Sequence, residues 1–142
     1  MVAAIAAITA VIVTRPIANK QLDLQERQLK KDLFDRRFKI FTDTDEFLGH
    51  ITSSPSTFTP SSEEYRKFFA SVEAAEVLCG QEVKTYLKDT DETAKQLSAD
   101  HQRMARNPGD NEAIEMQAIH FQHLSDLRSK RLDALRSDLS IG

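Results

Sequence analysis

The stretch Leu22–Ile51, LDLQERQLKKDLFDRRFKIFTDTDEFLGHI, decides how the rest of the chain is read. Leu22, Leu29, Leu33, Ile40, Phe47 and Ile51 recur at steps of four or seven, and Phe34, Phe41 and Leu48 form a second row alongside. At about 100° per residue the two rows make one wide apolar helix face. Asp32, Asp35, Lys39, Asp43 and Glu46 are expected on the opposite side. The alternation that marks a strand is absent. No Gly or Pro occurs from Ile17 to Leu48, so nothing in the backbone chemistry stops the helix early. Gly49 and the Ser/Thr/Pro run that follows it are the expected stop.

The chain has 142 residues, with four Gly, four Pro and no Trp. That is enough for one domain with a modest core, and the composition favours an all-α protein. The single cysteine, Cys79, excludes an intrachain disulfide and fits a reducing compartment. The net charge of −3 hides an asymmetry. Between Arg15 and Lys39 lie eight of the 19 Lys and Arg but only four of the 22 Asp and Glu, a local net of +4. The remainder carries 11 basic and 18 acidic residues, a net of −7. An acidic body on a basic neck argues against nucleic acid as a partner. The neck suits an anionic membrane surface.

Upstream, Val2 to Val13 is uninterrupted Val, Ala, Ile and one Thr. As a helix it would be about 20 Å long, short of the roughly 30 Å hydrocarbon core of a bilayer. Three readings compete. One is the inner part of a membrane span whose start lies upstream. Another is a signal-peptide core, although no charged leader precedes it and no Ala-x-Ala site follows. The third is a buried helix of a soluble protein. A run with no polar face suits lipid better than a one-sided core, so the first reading is preferred. Basic residues follow the run and none precede it, which by the positive-inside tendency puts the body on the cytoplasmic side of the inner (plasma) membrane. Residues 1–15 are thus read as an anchor and 16–142 as a helical bundle with a basic neck, 16–39. At Arg15-Pro16 a kink is expected, or a restart capped by Thr14.

Downstream, Ser61 and Glu64 have capping-box spacing and acids occupy the first turn, so a helix should start there. Tyr65, Phe68, Phe69, Val72, Ala75 and Cys79 mark its inner face. Val83, Tyr86, Leu87, Thr90, Ala94, Leu97, His101 and Met104 continue in phase. A break near Gly80 is preferred to one long helix. Asn107-Pro108-Gly109-Asp110 is a turn. The last helix should run from about Asn111 to Leu139, with Ile114, Ala118, Phe121, Leu124, Leu132, Leu135 and Leu139 inward. The expected architecture is an all-α antiparallel bundle of about four helices, three if Gly80 is only a kink, preceded by an apolar anchor helix.

No phosphate-binding glycine loop, nucleophile elbow or zinc-protease motif occurs. No Glu-x-x-His pair of the kind that carries di-metal bundles is present. His120 and His123 share one helix turn, but two histidines without a nearby carboxylate or thiolate pair read as surface residues. His101 reads as a satisfied core histidine and Cys79 as a small buried apolar residue. No metal, cofactor, small-molecule substrate or enzymatic activity is expected.

The segment Asp-Leu-Phe-Asp-Arg-Arg-Phe-Lys-Ile-Phe at Asp32–Phe41 resembles a motif of small, uncharacterised bacterial membrane-anchored proteins. In these, one N-terminal span leads into a Gln/Leu/Lys-rich helix and then a Leu-Phe-Asp-Arg-Arg-Phe block. Leu78–Leu87, LCGQEVKTYL, is similar to a second block in them, where an aromatic often replaces Cys79. The resemblance covers the first half of the chain and implies an anchored helical domain of unknown activity.

The expected function is therefore a single-pass, membrane-tethered helical module that binds another protein or self-associates. The alternative is a soluble helical subunit whose apolar N-terminus packs in an oligomer, and an enzyme ranks third. One pair of side chains is expected to carry structural weight. Arg37 falls within the apolar face of the first helix and Glu76 within that of the second. An antiparallel hairpin turning near Ser56 would place them opposite one another as a buried ion pair that fixes the register.

Overall fold

A computed structural model describes residues 2–140, and the side chains of residues 15–140 other than Thr57. Four helices follow in order: α1 (Val2–Ser53), α2 (Glu63–Leu78), α3 (Gln81–Arg106) and α4 (Asn111–Leu139). A 3-10 turn at Pro55–Thr57 lies between α1 and α2. The chain divides into two units, residues 1–35 and 36–142. The boundary falls near the end of the basic neck.

The first unit is helical throughout its described residues. Two ion pairs at i,i+4 spacing, Asp23–Arg27 at 3.0 Å and Glu26–Lys30 at 2.8 Å, reinforce it. In both the acid precedes the base, the orientation that agrees with the helix dipole. The helix runs through Pro16 without interruption, so no restart occurs there. Among the described residues no helix is long and apolar enough to cross a membrane. The anchor expectation rests on side chains 2–13, which lie outside those described.

The second unit is an antiparallel bundle. Its centre is aromatic. Phe47 of α1 is fully buried and stacks on Phe68 of α2, with ring centroids 4.4 Å apart. Phe58, from the connection, and Tyr65 close the cluster at 5.6 and 5.8 Å from Phe47. Leu48, Ile51, Leu87, Leu97 and Leu124 complete the core. Two buried hydroxyls are satisfied within their own helices: Thr44 donates to Ile40 O and Thr90 to Tyr86 O.

Several boundaries differ from expectation. α1 passes Gly49 and ends at Ser53, because a glycine with an ordinary right-handed backbone costs a helix only about 1 kcal/mol. α2 is capped by Ser62, whose Oγ accepts from Tyr65 N at 3.3 Å, one residue later than the Ser61 box. Gly80 does separate two helices: Cys79 and Gly80 are extended, with ψ of 158° and 169°. The turn before α4 closes through Asp110 N donating to Asn107 O at 3.0 Å. Asp110 then caps α4 by accepting from Ala113 N.

The buried faces differ in part as well. Asp43, expected outside, is buried and accepts from Ser71 at 2.6 Å and Lys39 at 2.5 Å. Phe69, expected inside, is exposed beneath the Lys95 ammonium. On α4 the buried residues are Ala113, Leu124, Leu127 and Leu135, whereas Ile114, Ala118 and Leu132 face outward.

Candidate functional site

One polar feature of the bundle, joining three of its helices, centres on Arg37. Its guanidinium donates from Nε to the Leu78 carbonyl at 2.7 Å and from Nη1 to the Asp138 carbonyl at 3.1 Å. Both acceptors sit in the last turn of a helix, where carbonyls lack intrahelical donors and the dipole favours a cation. One side chain of α1 thus caps the C-termini of α2 and α4. The Asp138 carboxylate turns the other way and accepts from Gly80 N at 2.7 Å. A methyl group at position 80 would approach its Oδ1 to 3.3 Å, so the close carboxylate is what glycine accommodates here. The two motif blocks of the sequence, Asp32–Phe41 and Leu78–Leu87, therefore meet through Arg37 and Leu78.

The expected Arg37–Glu76 pair is replaced by this arrangement. Glu76 pairs with Lys88 at 2.7 Å and Lys84 at 3.8 Å, and its carboxyl is held below the usual range first by the Lys88 hydrogen bond. The reason is register. Asp43 faces Ser71 and Phe47 faces Phe68, two to three positions further along α2 than a hairpin turning near Ser56 would give. The 3-10 turn and the inward Phe58 lengthen the connection. At about 100° per residue Glu76 lies beside exposed Phe69, off the face that Phe68, Ser71 and Ala75 bury.

Cys79 sits beside this clamp. Burial and then the Asp138 carboxylate push its thiol from near 9 up to about 11, against a smaller opposing pull from Arg37 and Lys84. A raised value favours the neutral thiol, so its contribution to stability is complete below about pH 9 and lost as pH rises towards about 11. At pH 8 the folded chain should carry roughly a hundredfold less thiolate than the unfolded one. Iodoacetamide should consequently label Cys79 at least tenfold more slowly at pH 8 than in denaturant, by mass spectrometry. Equal rates would contradict this environment.

The second polar region joins α3 to α4. His120 Nδ1 donates to Asp100 at 2.6 Å in a largely buried pair. His123 Nε2 meets both Asp89 oxygens at 3.0 and 3.1 Å in a half-exposed one. Gln117 donates to His101 Nε2 at 3.2 Å, leaving Nδ1 buried with no partner among the described residues. Tyr86 donates to Leu127 O at 2.8 Å. His120 and His123 thus bond to different carboxylates instead of standing free on the surface. His101 is satisfied at one nitrogen only. Among the described residues no three His, Cys, Asp or Glu side chains gather as a metal site would require.

Sequence reasoning missed Asp138, although one signal was present. An acid in the last turn of a helix opposes the dipole and calls for a local donor. The backbone acceptors of Arg37 carry no side-chain signal at all. Comparison with protein-family models, curated proteins and solved structures finds no match to this chain.

Proposed function

We propose that the chain is a single-pass, membrane-tethered helical interaction module, with its bundle on the cytoplasmic side of the plasma membrane. The observation that carries this reading is the seam along the first unit. Leu22 and Leu29 are 64% and 70% exposed, and Leu33 is 36% exposed. They lie in phase with Ile40, Phe47 and Ile51, which form the bundle's core. An apolar stripe left uncovered by its own unit is the usual mark of a binding face. The run Val2–Val13, followed by Arg15 and Lys20, supplies the tether, and the resemblance at Asp32–Phe41 points the same way. The Arg37 clamp and the His–Asp pairs serve as internal braces in this reading.

The alternative is a soluble subunit whose apolar N-terminus packs in an oligomer. Carbonate washing of membranes from cells that make the full chain separates the two. Retention in the pellet, with release only by detergent, is expected. Recovery in the carbonate supernatant would overturn the tether.

A further inference from the structure

An open cleft of about 440 Å³ lies between α1 and α4, lined by Thr52, Ser125, Arg128, Ser129 and Arg131. Its size is that of a small-ligand site, roughly 300–1,000 Å³. Its lining is two guanidiniums and three hydroxyls, with no carboxylate and no large apolar group. Ser125, Arg128 and Ser129 stand three and four residues apart on α4, so they share one side of that helix. Thr52 comes from the last turn of α1.

The two arginines differ in how their charge is met. Arg131 Nε meets the Asp45 carboxylate of α1, and its Nη1 donates to the Arg128 carbonyl at 2.7 Å. Arg128 is partly buried, yet its Nη1 donates only to a neutral acceptor, Thr52 Oγ1, at 2.7 Å. Among the described residues no carboxylate lies within ion-pairing distance of it. The C-terminus of α1 offers about half an elementary charge, which offsets part of the guanidinium and leaves the rest unmatched. The hydroxyls are adaptable. Ser125 donates to Phe121 O at 3.0 Å and Ser129 to Asp126 O at 2.7 Å. Both carbonyls lie inside α4 and keep their own helix N–H, so either hydroxyl can turn to an anion without orphaning an acceptor. A carboxylate has two oxygens in a plane, and one arginine fork uses both. A phosphate monoester has three oxygens in a tetrahedron, enough for a fork and two serine hydroxyls together.

We propose that this cleft binds a phosphate monoester, with Arg128 as its principal cation and Arg131, Ser125 and Ser129 completing the cradle. The site is independent of the tether. A soluble sugar phosphate and a phosphatidic acid headgroup share this chemistry, and the test separates them. Calorimetric titration of the full chain in detergent micelles with glycerol 3-phosphate, at constant ionic strength in chloride, should show one saturable site per chain. Arg128→Gln should weaken it about tenfold or more, as loss of a charge-assisted fork does. Ser129→Glu should weaken it as much by filling the cleft with a carboxylate, and that position is exposed, so the fold is spared. Arg136→Gln removes the same charge from an exposed position of α4 outside the cleft and should leave binding unchanged. No saturable heat, equal weakening by Arg136→Gln, or acetate binding as tightly as glycerol 3-phosphate would overturn the proposal. Repeating the titration in bilayers of phosphatidylglycerol or phosphatidic acid assigns the source. Equal binding in both upholds the site with a soluble ligand. Competition by phosphatidic acid alone upholds it with the lipid headgroup as ligand.

Discussion

Replacing Phe47 with Ala should destabilise the bundle by about 4 kcal/mol, close to the limit that a small domain tolerates. Phe47 is fully buried and touches three other rings, from α2 and from the connection between α1 and α2. Truncating a buried aromatic costs about 3–5 kcal/mol through lost transfer energy and an unfilled cavity. The stacked and edge-on pairs add about 0.5–1.5 kcal/mol each beyond their area. For a unit of this size the thermal midpoint should fall by more than about 10 °C. Phe69→Ala is the matched control, because Phe69 lies on the same helix as Phe68 but is exposed. Its cost should stay below about 1 kcal/mol. Near-equal losses in urea titrations of the two variants would refute the placement of the core.

Arg37→Ala should be the next largest loss, about 3 kcal/mol. Two hydrogen bonds from a charged donor disappear, each worth about 1.5–3 kcal/mol, and two terminal carbonyls return to water only partly. Arg37→Lys should recover less than half of it, since one ammonium lacks the planar fork that reaches two acceptors. Glu76→Ala should cost far less than Arg37→Ala, as expected of a surface pair. A cycle combining Arg37→Ala with Glu76→Ala should be additive within about 0.5 kcal/mol. A coupling above 1 kcal/mol would restore the ion pair that the sequence suggested.

Much of the fold was legible before the structure. The turn at Asn107–Asp110, the break at Gly80 and the inward face of α3 follow from local chemistry that tertiary contacts do not override. α4 was legible only in extent. Its inner face interleaves apolar Ala113, Leu124, Leu127 and Leu135 with Gln117, His120, Arg131 and Asp138. These polar residues meet His101, Asp100, Asp45 and Gly80 N across the bundle. A hydrophobic period cannot reveal a face that is half polar, and outward Ile114 and Leu132 obscured it further. The register of α1 against α2 was hidden for a different reason. It depends on how many residues the connection spends turning, and Phe58 folding inward is a tertiary choice with no local signal.

The clamp has one more consequence, for how this chain could drift over evolutionary time. Arg37 is met by peptide oxygens, so exchanging the Leu78 side chain leaves its acceptor in place, and no second-site change there can rescue the loss of the arginine. Position 37 should therefore stay fixed, while position 78 answers only to its packing against the core and not to the arginine. The contact that ties α1 to the end of α2 would then leave no trace of paired substitution in any set of descendants.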